Sequence, residues 1–178
     1  MKKESKRKEP KVKKPVEKTS APRGHSLSEP VLMTELVLPS HTNDLGTIFG
    51  GTIMAWIDIA GAIAARRYAH APVVTLSIDY LQFFVPIKIG YVVRTHARVT
   101  HVGRTSMEVE AIVEAENPST GEVRKATQAY LTYVAVDEFG RPKPVPPYTP
   151  KTPEEKKQAQ EAEGRRSRRL ELSAQLKR

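Results

Sequence analysis

The sequence predicts an α+β fold: one long buried helix wrapped by a curled antiparallel sheet of about five strands, with a charged helix at the C-terminal end. Three observations carry this. Residues 50–67 include Ile53, Met54, Trp56, Ile57, Ile59, Ala60, Ala62, Ile63, Ala64 and Ala65, which leave almost no polar face. A surface helix shows an apolar stripe, and a helix without one is covered on all sides. After Pro72 the period changes to two, with Val74, Leu76, Ile78 and Tyr80 on one face and Thr75, Ser77, Asp79 and Leu81 on the other; this is the alternation of a strand. Finally, one strand precedes the helix and four follow it. A single five-stranded sheet cannot hide such a helix completely, so its open side calls for a partner, most simply a second copy related by two-fold symmetry.

The elements follow in order. Residues 1–26 lack apolar periodicity and read as a disordered tail. A first strand runs from Val31 to Leu38, and Pro39 closes it. Ser, Thr, Asn, Asp and Gly cluster at 40–47 as a loop ahead of the helix. Further strands are expected at 90–102, from Arg104 and over 122–136, with Gly103 and the turn Asn117-Pro118-Ser119-Thr120-Gly121 between them. The proline tract at 142–150 is an extended spacer. Thr152-Pro153-Glu154-Glu155 starts a helix: a hydroxyl cap, proline in the first turn and acids at the positive end. That helix is too polar to stand alone, so it docks on a neighbouring subunit or frays. The domain organisation is thus a tail (1–26), one folded domain (27–150) and a basic helix (151–178).

The 178 residues carry a net charge of +9 and no cysteine. Disulfides and thiolate metal sites are excluded. The charge sits at the ends: residues 1–26 hold ten Lys or Arg against three Glu, and 151–178 hold nine against five, whereas 27–150 hold ten against twelve acids. Basic tails bind nucleic acid or anionic surfaces, or simply solubilise. No base-reading motif accompanies them, so no nucleic-acid partner is expected. No apolar run is long enough to span a membrane, and the basic N-terminus lacks the apolar core of a secretory signal. A cytoplasmic location is the expectation.

One carboxylate, Asp58, interrupts the apolar helix. It is costly there unless paired, hydrogen-bonded or wet. It is a candidate general base or nucleophile, although a carboxylate bonded to a strand hydroxyl across the core would look the same. Gly50 and Gly51 open the helix, and their amides lie at its positive end, free to bind a developing oxyanion. They equally allow tight packing. Asn43 suits a turn or a helix cap. The five histidines show no ligand spacing; His96 and His101 are an odd number apart on one strand, hence on opposite faces. No metal is expected.

The pattern Asn43-x-x-Gly46-x-Ile48-Phe49-Gly50-Gly51-x-x-Met54-x-x-x-Asp58 resembles the signature of bacterial acyl-CoA thioesterases of the hotdog fold. The resemblance extends to Val73–Asp79, Pro86-Ile87-x-x-Gly90, Gly103–Val109 and Pro142–Pro147, covering about residues 31–150. It implies hydrolysis of fatty acyl-CoA to a carboxylic acid and CoA. No cofactor is needed, since CoA is part of the substrate. The implied catalytic set is Asn43, Asp58, Gly50 and Gly51, with Asn43 acting across a dimer interface on the partner's carboxylate. The implied substrate contacts are Phe49, Thr75, Ser77, Gly103, Arg104, Thr105 and Ser106. It also implies a homo-oligomer, a dimer assembled as a trimer of dimers. Where several relatives have His before the Gly pair, this chain has Phe49, which is expected to line the acyl groove; a hotdog hydratase, which would need that His, is disfavoured. A non-catalytic acyl-CoA sensor on the same scaffold is the alternative.

Overall fold

The structure is a computed structural model that describes Leu27 and residues 29–176; the tail reading of 1–26 lies outside the described residues. The elements are β1 (Val31–Leu36), a 3-10 turn (Pro39–His41), α1 (Gly50–Ala69), β2 (Val73–Phe83), β3 (Val92–Val102), β4 (Ser106–Asn117), β5 (Glu122–Ala135) and α2 (Pro153–Leu176). The five strands form one antiparallel sheet in the order β1-β3-β4-β5-β2. α1 therefore carries the chain from one sheet edge to the other. This is the hotdog architecture: a curled sheet around a central helix.

α1 buries Ile53, Ile57, Ala60, Gly61, Ala64, Ala65 and Tyr68 against the sheet. These fall at the i, i+4, i+7 and i+8 positions of one helix face. Burial of Ile57 or Leu131, each 0% exposed, is worth about 2 kcal/mol apiece. As the sequence implies, one five-stranded sheet does not hide this helix completely. Met54 is 40% and Ile59 50% exposed, because the sheet reaches only one face. The neighbouring edge strand β2 leaves Val74, Leu76, Ile78 and Tyr80 exposed as well.

β-Bulges in two strands shift the period-two reading. In β2 the register with β5 slips between Thr75 and Ser77 and again between Ile78 and Tyr80. Thr75 consequently faces α1, where it meets Asp58, while Ser77 bonds Asp79 on the opposite face, beside Thr132 and Arg169. In β3 the register slips between Val99 and His101. His96 pairs with Glu114 and His101 with Glu163 of α2, so these histidines share the outer face. A bulge adds one residue and reverses the alternation beyond it.

α2 starts where the sequence places it. The Thr152 hydroxyl accepts the Glu155 N–H at 3.1 Å, and the Glu155 carboxylate accepts the Lys151 and Thr152 amides, a reciprocal cap. It does not need a neighbouring subunit to dock, because it lies on the outer face of its own sheet. Arg165 forks onto Glu108 at 2.7 and 3.0 Å, and its guanidinium lies 4.0 Å from the Tyr130 ring centroid. Arg169 pairs with Asp79. Glu108 and Glu110 are only 4% and 6% exposed. Each needs its partners: Thr100 and Arg165 for Glu108; Arg98, Tyr130 and Gln128 for Glu110.

Arg165→Ala should therefore leave Glu108 buried and unpaired, costing about 3 kcal/mol, whereas Arg166→Ala, which breaks only an exposed pair with Glu163, should change stability by less than about 0.5 kcal/mol; urea denaturation of both variants checks the contrast. Burial alone would raise Glu110, but hydrogen bonds from Arg98, Tyr130 and Gln128 outweigh it and hold the carboxyl below its ordinary value. A carboxyl depressed on folding stabilises above its unfolded pKa, and that contribution is lost as pH falls through the folded value. The melting temperature should thus decline as pH falls below about 4.5. The decline should be shallower in Glu110→Gln.

Candidate active site

The loop ahead of α1 is built around one side chain. Asn43 Oδ1 accepts the Leu45 N–H at 3.0 Å and both the N–H and hydroxyl of Thr47 at 3.2 Å. Gly46 closes the turn at φ +70°, a left-handed conformation that glycine adopts without strain. Three donors on Oδ1 fix the amide orientation. The Asn43 NH2 group is turned away from the loop and has no acceptor among the described residues.

α1 begins at Phe49, a residue that cannot cap, and no side-chain cap bond is present. The first intrahelical donors are Thr52 and Ile53. Among the described residues the Gly50 and Gly51 amides have no backbone acceptor and lie at the positive end of the helix. Beside them lies an apolar pocket of about 350 Å³ lined by Ile48, Gly50, Ile53, Phe83, Phe84 and Ile87, among others. Phe49 does not line it. Its ring packs over Gly51 and is 59% exposed, because the extended backbone at the N-cap directs it away from the sheet.

Asp58 lies eight residues further on, about 12 Å along the helix axis. Its Oδ1 accepts the Thr75 hydroxyl at 2.7 Å and the Tyr133 hydroxyl at 3.2 Å; Oδ2 has no hydrogen-bond partner among the described residues. Burial, and then the adjacent Asp58 carboxylate, push the Tyr133 hydroxyl far above the usual phenol range, so it remains a donor. The carboxylate is half-buried at the border of the covered face of α1, bonded to strands β2 and β5 on one side.

The sequence-predicted residues thus fall into separate groups. Asn43, Gly50 and Gly51 gather at the N-terminus of α1. Asp58 and Thr75 gather two turns along. Gly103 to Ser106 form the β3–β4 turn: Gly103 N–H bonds Ser106 O, and Thr105 O accepts the Ala135 N–H. Arg104 there is exposed and makes no ion pair among the described residues. Ser77, expected to face the substrate, is held on the outer face by the bulge and is not brought to Asp58. Sequence reasoning missed Tyr133, whose only signal was alternation within β5. Among the described residues no three His, Asp or Glu side chains converge as metal ligands, and no helix is long and apolar enough to cross a membrane.

Comparison with known proteins fits this geometry. The family model for the thioesterase superfamily matches residues 45–122, from the loop ahead of α1 into the start of β5. The fold, and a helix carrying a carboxylate behind an open N-terminus, define a thioesterase of the hotdog class. The acyl-CoA thioester hydrolase YciA of Salmonella typhimurium is 41% identical over 119 residues, covering 65% of this chain and 90% of the relative. The chain belongs to that family of acyl-CoA thioester hydrolases. An apo-hexameric acyl-CoA thioesterase superposes with a TM-score of 0.77 at 46% identity, covering 82% of this chain and 93% of the other. An acyl-CoA hydrolase from Staphylococcus aureus, solved with butyryl coenzyme A and coenzyme A, superposes at 0.76 with 37% identity, covering 83% and 90%. That enzyme has also been solved with alanine replacing an asparagine, an aspartate and a threonine, spaced fifteen and then seventeen residues apart.

Proposed function

We propose that this protein hydrolyses acyl-CoA thioesters at a site shared by two copies of the chain, with Asp58 of one copy facing Asn43 and the α1 N-terminus of the other. Membership of the acyl-CoA thioester hydrolases carries the reaction. One observation carries the arrangement: within a chain Asp58 and the Gly50 amides are about 12 Å apart, too far to act on one carbonyl carbon, and Asp58 sits at the border of the uncovered side of α1, bonded to the edge strand β2. A second copy packed on that side by two-fold symmetry brings the two groups together. The spacings of Asn43, Asp58 and Thr75, fifteen and seventeen residues, match those of the replaced residues in the staphylococcal relative.

In this reading Asp58 Oδ2 takes a proton from water as the water oxygen bonds to the thioester carbon. Thr75 holds the other carboxylate oxygen. The Gly50 and Gly51 amides and the Asn43 NH2 receive the charge that develops on the carbonyl oxygen. Collapse of the tetrahedral species breaks the C–S bond, and the proton passes to the departing thiolate; the products are a carboxylic acid and CoA, and no cofactor enters the balance. Direct attack by Asp58 through an anhydride gives the same products. The pocket beside Gly50 suits the acyl chain, and the exposed Arg104 suits the CoA phosphates. The hexameric relatives support a trimer of such dimers, and the reading places the enzyme in the cytoplasm.

The test is release of free thiol from a panel of acyl-CoAs of increasing chain length. Asp58→Asn should lose at least about a hundredfold in kcat while keeping its melting temperature. If wild-type protein binds acyl-CoA and releases no thiol, a non-catalytic sensor replaces this reading.

A further inference from the structure

Tyr133 is 0% exposed and lies at the middle of the α1–sheet contact. Its hydroxyl reaches the main-chain carbonyl of Asp58 at 3.0 Å and Oδ1 of the same residue at 3.2 Å. Thr75, paired with Tyr133 across the β2–β5 ladder, donates to the same Oδ1. The single Tyr133 hydroxyl proton is shared between that carbonyl and Oδ1, and with the Thr75 hydroxyl it faces one carboxylate oxygen from adjacent strands, while Oδ2 has no partner among the described residues.

The helix is shaped to admit this hydroxyl. Gly61, one turn after Asp58, is fully inside a helix that would be better served by alanine by about 1 kcal/mol. A Cβ at Gly61 would overlap the Tyr133 hydroxyl and crowd the ring. The glycine is thus explained by the close approach of this one group. Because burial and the carboxylate both oppose ionisation of Tyr133, the donor is retained throughout the pH range in which a thioesterase works.

We infer that Tyr133, admitted by Gly61, is a positioning residue for the hydrolysis: with Thr75 it locks the Asp58 carboxylate so that Oδ2 alone is presented to the attacking water. This rests on the assignment of Asp58 as the group that activates water. Tyr133 is fully buried and acts through Asp58, so its removal affects turnover more than binding.

The experiment is a double-mutant cycle on thiol release, with thermal melts of every variant. Tyr133→Phe should keep the fold and KM and lower kcat by about tenfold or more, the loss appropriate to one hydrogen bond to a charged group. In an Asp58→Asn background the same replacement should have no further effect on residual turnover. Full kcat in Tyr133→Phe, with Asp58→Asn inactive, overturns the inference and leaves the Asp58 assignment standing. An equal further loss in the Asp58→Asn background also overturns it, since Tyr133 would then act on packing alone. Full activity in Asp58→Asn defeats the assignment itself, and the inference with it.

Discussion

Everything in this molecule depends on how closely α1 lies against its sheet. The covered face is made of Ala60, Gly61, Ala64 and Ala65 between Ile53, Ile57 and Tyr68, so the helix backbone comes within hydrogen-bonding distance of a tyrosine rooted in β5. Small residues make the approach possible, and the hydroxyl makes it specific. The same approach sets the rotation of the helix about its axis, and that rotation decides where Asp58 points. A larger residue on this face would lift the helix and move the carboxylate with it.

The rest of the structure settles the two surfaces that this contact creates. On the outer face the sheet presents Glu108, Glu110 and Asp79, and α2 answers with Arg165 and Arg169. Ion pairs of this kind add little net stability over apolar packing, but they hold α2 in one place, because no other alignment satisfies two buried carboxylates at once. On the inner side the uncovered face of α1 leaves Met54 and Ile59 exposed. The carboxylate lies on its border, half-buried and still open to a reactant.

Much of this was legible in the sequence. The absence of a polar face between Ile53 and Ala65 marked the central helix, and the Thr152-Pro153-Glu154-Glu155 start of α2 was written in its capping chemistry. Asn43, Gly50 and Gly51 fall together at the start of α1, and Asp58 and Thr75 meet two turns along. Other features were hidden for physical reasons. A bulge leaves no trace in a period-two pattern, so Thr75 and Ser77 were placed on one face and His96 and His101 on two, the reverse of what the register produces. Nothing local in β4 reveals that α2 covers Glu108. Tyr133 looked like one more aromatic in a strand; only Gly61, seventy-two residues away in sequence, gives it meaning.

The central claim is that the carboxylate and the open helix N-terminus serving one thioester come from two chains. The most direct measurement is complementation between two impaired variants, Asn43→Ala and Asp58→Asn, co-expressed in equal amounts and assayed for thiol release. If the site is shared, half of the dimers are mixed and each mixed dimer carries one intact site, so activity should return to roughly a quarter of wild type. Activity no higher than that of the two variants assayed separately would contradict the shared site and return the chemistry to a single chain.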